Sequence, residues 1–278
     1  MDPDVVLTIA GSDCSAGAGI QADLKTFSSF GLHGLTAITC VVSETPLEVN
    51  EVHPVPPPVL EDQIRLLLER YPVSAVKTGM LYSKEHIEIV CRLLSEVDLP
   101  LVVDPVMVAS TGTPLLLEDA LHEVAERLLP LATVITPNLP EAGWLLGCEV
   151  RTESTQEEAA LELSKRYKGA CYLKGGHLEE SDHHRDLLAA GERLFSYSAE
   201  HLDLPQTHGT GCTLSAALTS ALALGQSLHE AAATAHRFTH QALRDSFSWL
   251  SPQNSEAVWH LNQIGNRPDS PANHPQAD

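Results

Sequence analysis

Short apolar runs rich in β-branched residues alternate with longer segments of helical spacing along most of this chain. Val5–Ala10 reads as a strand that stops at Gly11, and Ile20–Phe30 as a helix that ends at Gly31. Leu35–Val42 is the next strand. Pro56–Arg70 suits a helix, with proline at its start and Leu60, Ile64, Leu67 and Leu68 on one face. Further strands are expected at Ala75–Gly79, Leu99–Pro105, Ala132–Thr136 and Ala170–Lys174. Further helices are expected at Lys84–Val97, Leu117–Leu129, Pro140–Leu146, Gln156–Tyr167, Leu214–Leu224 and Ser227–Ser246. Asp186–Ala199 folds back on itself around Ala190-Gly191 as an antiparallel pair. Leu99–Pro105 is almost continuously apolar, as a strand covered on both faces should be.

Repeated strand–helix units predict a mainly parallel sheet with helices on both faces and right-handed crossovers. No linker divides the pattern, so residues 1–265 are expected to form one domain. The remainder, Asn266–Asp278, is rich in Pro, Asn and Asp and reads as a disordered tail. Hydrophobic residues make up 43% of the 278, enough for a substantial core, but no run reaches transmembrane length. The acidic start Met1-Asp2-Pro3-Asp4 is unlike a signal peptide, so a cytoplasmic location without membrane attachment is expected. A net charge of −20 argues against a nucleic-acid partner, and leaves anion binding to local groups. The six cysteines have no Cys-x-x-Cys pair, and His183-His184 reads as part of a polar loop.

Ligands of such sheets bind at the carboxyl ends of the strands, and here those ends are chemically loaded. Gly11-Ser-Asp-Cys-Ser-Ala-Gly-Ala-Gly19 follows the first strand, with Asp23 one turn into the next helix. Lys77-Thr-Gly-Met80, Asp104-Pro-Val106, Asn138-Leu-Pro-Glu141 and Lys174-Gly-Gly176 follow others. Lys77, inside a short apolar strand, is costly unless paired. Asp104 and Glu141 are hard oxygen donors suited to Mg²⁺, directly or through water. Lys174 is a point cation for phosphate. Thr207-His-Gly209-Thr210-Gly211-Cys212 precedes an alanine-rich helix, so two glycines and a helix N-terminus can cradle an anion. A turn before a helix with a buried cysteine is the plainer reading of that segment alone.

Together these segments resemble the hydroxymethylpyrimidine/phosphomethylpyrimidine kinases of thiamine biosynthesis, within the ribokinase-like superfamily. The resemblance rests on Leu7–Asp13, Gly17–Phe27, Lys77–Leu81, Val103–Met107, Ile135–Ala142, Leu173–His177 and His208–Ala217, in family order over roughly residues 5–245. It implies a three-layer α/β/α fold, a homodimer, ATP with Mg²⁺, and two successive phosphorylations of 4-amino-5-hydroxymethyl-2-methylpyrimidine. It places Gly11, Asp23, Met80 and Val106 around the pyrimidine, and Asn138 and Glu141 on the superfamily's Asn-x-x-Glu element that organises Mg²⁺ and phosphate. Lys174 falls on the phosphate-contacting lysine. Cys212 stands on the catalytic position where most superfamily members carry Asp, as general base. Gly209, Thr210 and Gly211 would stabilise the transferred phosphoryl group. A helix N-terminus and cradle amides are expected to lower the thiol below its ordinary ~8.5.

Three residues depart from the family pattern. Cys14 and Ala16 replace the usual Pro and Gly in the loop over the substrate. Glu44 aligns where the family commonly has Gln reading the polar edge of the pyrimidine. Gln donates and accepts, whereas ionised Glu only accepts. Glu44 is therefore expected to add pH dependence or shift substrate preference. A pyridoxine or pyridoxal kinase is the alternative activity, and a non-catalytic pyrimidine-binding protein the alternative from another class.

Overall fold

The structure is a computed structural model that describes residues 2–107, 118–176, 183–200, 202, 204, 208–252 and 256–265. The expected tail, His177, and the stretch between His201 and Thr207 apart from Leu202 and Leu204 lie outside the described residues. In chain order the elements are β1 (Val5–Asp13), α1 (Gly19–Ser29), β2 (His33–Thr45), β3 (Glu48–Pro54), α2 (Pro57–Arg70), β4 (Val73–Thr78), α3 (Lys84–Leu94) and β5 (Leu101–Val103). There follow α4 (Glu118–Glu123), β6 (Val134–Ile135), α5 (Leu139–Leu146), α6 (Glu153–Tyr167), β7 (Ala170–Leu173), β8 (His183–Ala190) and β9 (Arg193–Glu200). The order closes with α7 (Thr210–Ala223), α8 (Leu228–Arg244), β10 (Phe247–Leu250) and β11 (Ala257–His260).

The nine-stranded sheet runs β3-β2-β1-β4-β5-β6-β7-β8-β9. Six adjacent strands, β2, β1, β4, β5, β6 and β7 in sheet order, are parallel. Antiparallel hairpins add β3 at one edge and β8–β9 at the other. Alternate side chains of each central strand go to opposite layers. Leu7 and Ile9 pack with Leu60 and Ile64 of α2 and Ile87 and Val90 of α3, while Val6 packs with Phe27 of α1 and Ala216 of α7. Val103 faces the first layer, and its neighbour Val102 faces Leu214, Ala217 and Leu218 of α7 and the alanines of α8. Small residues on α7 and α8 let those helices lie close to the sheet, which completes a three-layer α/β/α sandwich.

Several boundaries differ from the sequence reading. β1 does not stop at Gly11 but continues through Ser12 and Asp13, paired to Val41 and Val42 of β2. β2 extends to Thr45 and turns through Pro46-Leu47 into the unexpected β3. His183 and His184 begin β8 rather than sitting in a loop. The helix expected to reach Leu129 is regular only to Glu123, after which it loosens into a π turn over Val124–Leu128 and tightens into a 3-10 turn over Leu129–Leu131. α7 begins at Thr210, four residues early, because Gly209 takes φ +83° as its N-cap.

After β1 the chain adds β2 on one side, and β4 then pairs on the other, so the β1/β4 boundary is a topological switch point. Directly under it lies a charge pair. Lys77 of β4 faces α1, and its Nζ is 2.6 Å from Asp23 Oδ1, with both side chains wholly buried. Thr8 of β1 donates its hydroxyl to the other Asp23 oxygen at 2.6 Å. Burial pulls the Lys77 ammonium down, but Asp23, then Cys212 and Asp104, hold it above its ordinary value. Removing one partner leaves a naked charge in the core. Lys77→Met is expected to cost about 3–5 kcal/mol in urea unfolding at pH 7, and the double variant Asp23→Asn/Lys77→Met to recover much of that loss. A cost under about 1 kcal/mol, the range of an exposed pair, would contradict the ion pair's role.

Candidate active site

Three strand ends and the first turn of α7 meet at one point. Asp104 follows β5 and is buried. Its Oδ1 accepts from Lys174 Nζ at 3.1 Å and its Oδ2 from Ser215 Oγ of α7 at 3.3 Å. Lys174 follows β7, where its backbone N–H donates to Pro137 O at 2.9 Å. Burial lowers the Lys174 ammonium, but Asp104 and Glu141 outweigh it, so Lys174 is held in its charged form. A methyl group on Gly211 would lie 3.3 Å from both Asp104 Oδ2 and Lys174 Nζ. Glycine there lets the α7 N-terminus rest directly on this ion pair.

Asn138 and Glu141 form a capping box at the start of α5. Asn138 Oδ1 accepts from Glu141 N at 2.8 Å, and Glu141 Oε2 accepts from Asn138 N at 2.8 Å. Glu141 Oε1 also accepts from Met107 N at 3.3 Å. Its pKa is raised by burial, which Lys174 only partly offsets. Both of its oxygens thus already tie the β5 and β6 ends together. Among the described residues no cluster of three or more His, Cys, Asp or Glu forms a ready-made metal site.

Cys212 lies in the first turn of α7, partly open to solvent, with the backbone N–H of Gly19, at the start of α1, close enough to favour its thiolate. Two helix N-termini therefore converge on the sulfur. The expected lowering of this thiol is nevertheless overturned. Burial pushes it up to about 11, and Asp23 and Asp104 add to the rise, while Lys77 and Gly19 work against it. The main reason is burial: Lys77 favours the thiolate, but Asp23 and Asp104 oppose it, and the cation does not make up for the lost solvation.

The other end of the site is apolar. A methyl on Gly11 would fall 3.0 Å from Cys40 Sγ and 3.5 Å from Met80 Sδ. Cys40, Val42 and Met80 form a small cluster, with Val106 and Tyr82 against it. Val106 takes φ +25°, an unfavourable backbone for a β-branched residue, as the chain leaves β5. Glu44 borders this end from β2. It is clamped to Cys14: the Cys14 thiol donates to Glu44 O at 3.2 Å, and Glu44 N donates to Cys14 Sγ at 3.4 Å. Burial, then the Asp13 carboxylate, pushes the Glu44 side chain up to about 7. Asp23, by contrast, spends both oxygens on Lys77 and Thr8 behind this wall.

Sequence reasoning passed over Asp13, His208 and Asp186. Asp13 accepts five hydrogen bonds from the loop after it and from His208. Burial opposes its charge, but His208, Ala18 and Ser15 hold it down at about 2. Asp186 of β8 accepts from Gly175 N and from Tyr172 OH, both at 2.8 Å, and so brackets Lys174 from either side. A carboxylate just ahead of a glycine-rich loop was the available signal for Asp13. Asp186 had none, because its partners lie across an antiparallel strand.

The profile of the phosphomethylpyrimidine kinase family matches residues 13–255. The hydroxymethylpyrimidine/phosphomethylpyrimidine kinase of Bacillus subtilis is 40% identical over 241 residues, covering 86% of this chain and 89% of its own. That of Haemophilus influenzae is 42% identical over 242 residues, covering 86% and 90%. Among solved structures, an ADP complex of Bacillus subtilis pyridoxal kinase superimposes with a TM-score of 0.85 at 37% identity, over 94% of this chain and 98% of that one. With a strand-end site built around a glycine cradle, a lysine and a helix N-terminus, and with relatives alike over most of both chains, this chain belongs to the phosphomethylpyrimidine kinase family.

Proposed function

We propose that the protein transfers the γ-phosphoryl group of ATP to the hydroxymethyl oxygen of 4-amino-5-hydroxymethyl-2-methylpyrimidine, and a second phosphoryl group to the resulting monophosphate, as a step of thiamine biosynthesis. The observation that carries this reading is Gly211 seated on the Asp104–Lys174 pair, with Cys212 next in the chain. The amides of Gly209 to Gly211 and the Lys174 ammonium would neutralise charge on the phosphoryl oxygens. The Asn138 side-chain NH₂ can donate to a phosphate while its oxygen keeps α5 capped. Cys212 takes the hydroxyl proton as the oxygen attacks phosphorus. Gly11, Met80 and Val106 form the wall for the ring.

Asp104 and Glu141 are hard oxygen donors already committed to Lys174, Ser215 and backbone amides. They fit a Mg²⁺ that arrives with the nucleotide and keeps most of its water, the usual preference of this ion. Bound there, the ion would neutralise charge on the β- and γ-phosphates. We also infer a cytoplasmic homodimer. That inference rests on family membership.

The direct test is incubation with Mg·ATP and hydroxymethylpyrimidine, its monophosphate or pyridoxal, with products read by mass. Monophosphate and diphosphate of the pyrimidine are expected. ATP left intact with every acceptor would overturn the reading in favour of a binding protein. Phosphorylation of pyridoxal alone would favour the second reading, which the Bacillus subtilis pyridoxal kinase likeness supports.

Two pH effects separate the two ends of the site. A base that ionises at about 11 in the free protein is scarce at neutral pH, so kcat/KM should climb about tenfold per unit between pH 7 and 9. Cys212→Ala should lower kcat by roughly 10²–10⁴-fold and flatten that climb. A flat wild-type profile, or normal turnover in the variant, would remove Cys212 as base. Glu44, neutral below about 7, can both donate and accept like Gln. KM for the pyrimidine should therefore rise as pH passes from 6 to 8. Glu44→Gln should remove that rise; an identical pH dependence of KM in both proteins would contradict this role. The same raised pKa means that Glu44 favours folding fully below its unfolded value and loses that contribution as pH rises through about 7.

A further inference from the structure

The two halves of the site are joined by a bridge that neither half requires for its own chemistry. Asp13 closes β1 with its carboxylate almost wholly buried. Its Oδ1 accepts from Ser15 N at 2.6 Å. Its Oδ2 accepts from Ser15 Oγ at 3.0 Å, Gly17 N at 3.0 Å and Ala18 N at 2.8 Å. The loop between β1 and α1 is thus wound around one carboxylate. The same Oδ2 meets His208 Nε2 at 3.0 Å, 195 residues along the chain. His208 immediately precedes Gly209, the N-cap of α7 and first glycine of the phosphate cradle.

The packing around this contact leaves no room for a side chain at either Gly17 or Gly209. A methyl on Gly17 would lie 2.7 Å from His208 Cδ2 and 3.1 Å from His260 Nδ1. A methyl on Gly209 would fall into the carbonyl of Gly17. Any shift of the Ser15–Ala18 loop must therefore be felt at Gly209, and the reverse. The loop is in turn held to the acceptor end by the paired Cys14–Glu44 bonds. One continuous path runs from Glu44 through Cys14, Asp13 and His208 to the cradle.

We propose that Asp13 and His208 are positioning residues that couple the acceptor loop to the phosphate cradle, so that filling one half of the site tightens the other. The inference rests on the kinase reading, because it takes the loop as the acceptor side and the cradle as the nucleotide side. Coupling of this kind is reciprocal: an acceptor that tightens nucleotide binding is itself bound more tightly with nucleotide present. A bridge that served stability alone would lower the melting temperature when broken and leave that mutual effect untouched.

The test measures binding of a non-hydrolysable ATP analogue with Mg²⁺, with and without hydroxymethylpyrimidine, by calorimetry. Wild-type protein is first shown to form product with ATP; if no product forms, it is the kinase reading that fails. With product formed, the pyrimidine is expected to tighten analogue binding about fivefold or more. In His208→Ala that factor should fall to near one, with binding of analogue alone little changed. His208→Gln, which keeps a donor at similar reach, should restore it. Asp13→Asn, which presents the same shape without the charge, is the second variant and should lose the factor even where His208→Ala does not fold. Full coupling in a folded His208→Ala or Asp13→Asn protein, or no coupling in the active wild type, would overturn the proposal.

Discussion

A lysine ammonium and an aspartate carboxylate 2.6 Å apart, with no exposure to water, set the terms for everything above them. Lys77 and Asp23 come from β4 and α1, whose neighbours in the core are apolar. Burying two charges is tolerable only because they meet in hydrogen-bond geometry and Thr8 satisfies a further oxygen. The pair pins α1 to the sheet at the switch point. It fixes where Gly19, at the start of that helix, can present its N–H to Cys212. Asp23 offsets part of the Lys77 field, so burial is the largest influence on the thiol over the pair, with Lys77 lowering it and Asp23 and Asp104 raising it.

The same principle recurs one strand over. Lys174 is matched by Asp104, Asp104 is shared with Ser215, and Gly211 is bare of side chain so that α7 can approach them both. In a protein of net charge −20 the site does not collect positive charge in bulk. It collects a few buried cations, each already neutralised, together with backbone N–H groups at helix starts. An arriving phosphate would compete with carboxylates for those donors, which favours a nucleotide that brings its own counter-ion. The acceptor end follows a different logic. It is a wall of sulfur and aliphatic side chains with one titratable group, Glu44, at its rim.

Much of this was legible in the sequence because the central strands are nearly continuous apolar runs and the helices have clear faces. The parallel order, the loaded strand ends and the cradle all followed from that pattern and from the family resemblance. The errors have physical causes. Ser12 and Asp13 extend β1 despite being polar, because they are paired to β2 and capped by their own loop. Glu48–Pro54 is a mostly polar edge strand, stabilised by its hairpin partner rather than by burial. Thr210 could not be read as a helix start, since glycines flank it and only the left-handed Gly209 makes the cap possible. The cost of Lys77 in an apolar strand was visible, but its partner lies 54 residues away in sequence. The thiol was misjudged for the same reason: a helix N-terminus can be read locally, and burial cannot.

The raised Cys212 thiol is where charge balance, burial and chemistry meet, and it can be titrated directly. Alkylation of the folded, ligand-free protein with iodoacetamide across pH, resolved by peptide mass to separate Cys212 from the other five cysteines, reports its ionisation. An inflection near 11 is expected, and Lys77→Met should push it higher by removing the nearest cation. An inflection at or below 7 in the wild-type protein would contradict the view that a neutralised ion pair and burial, rather than helix N-termini, decide the state of this sulfur.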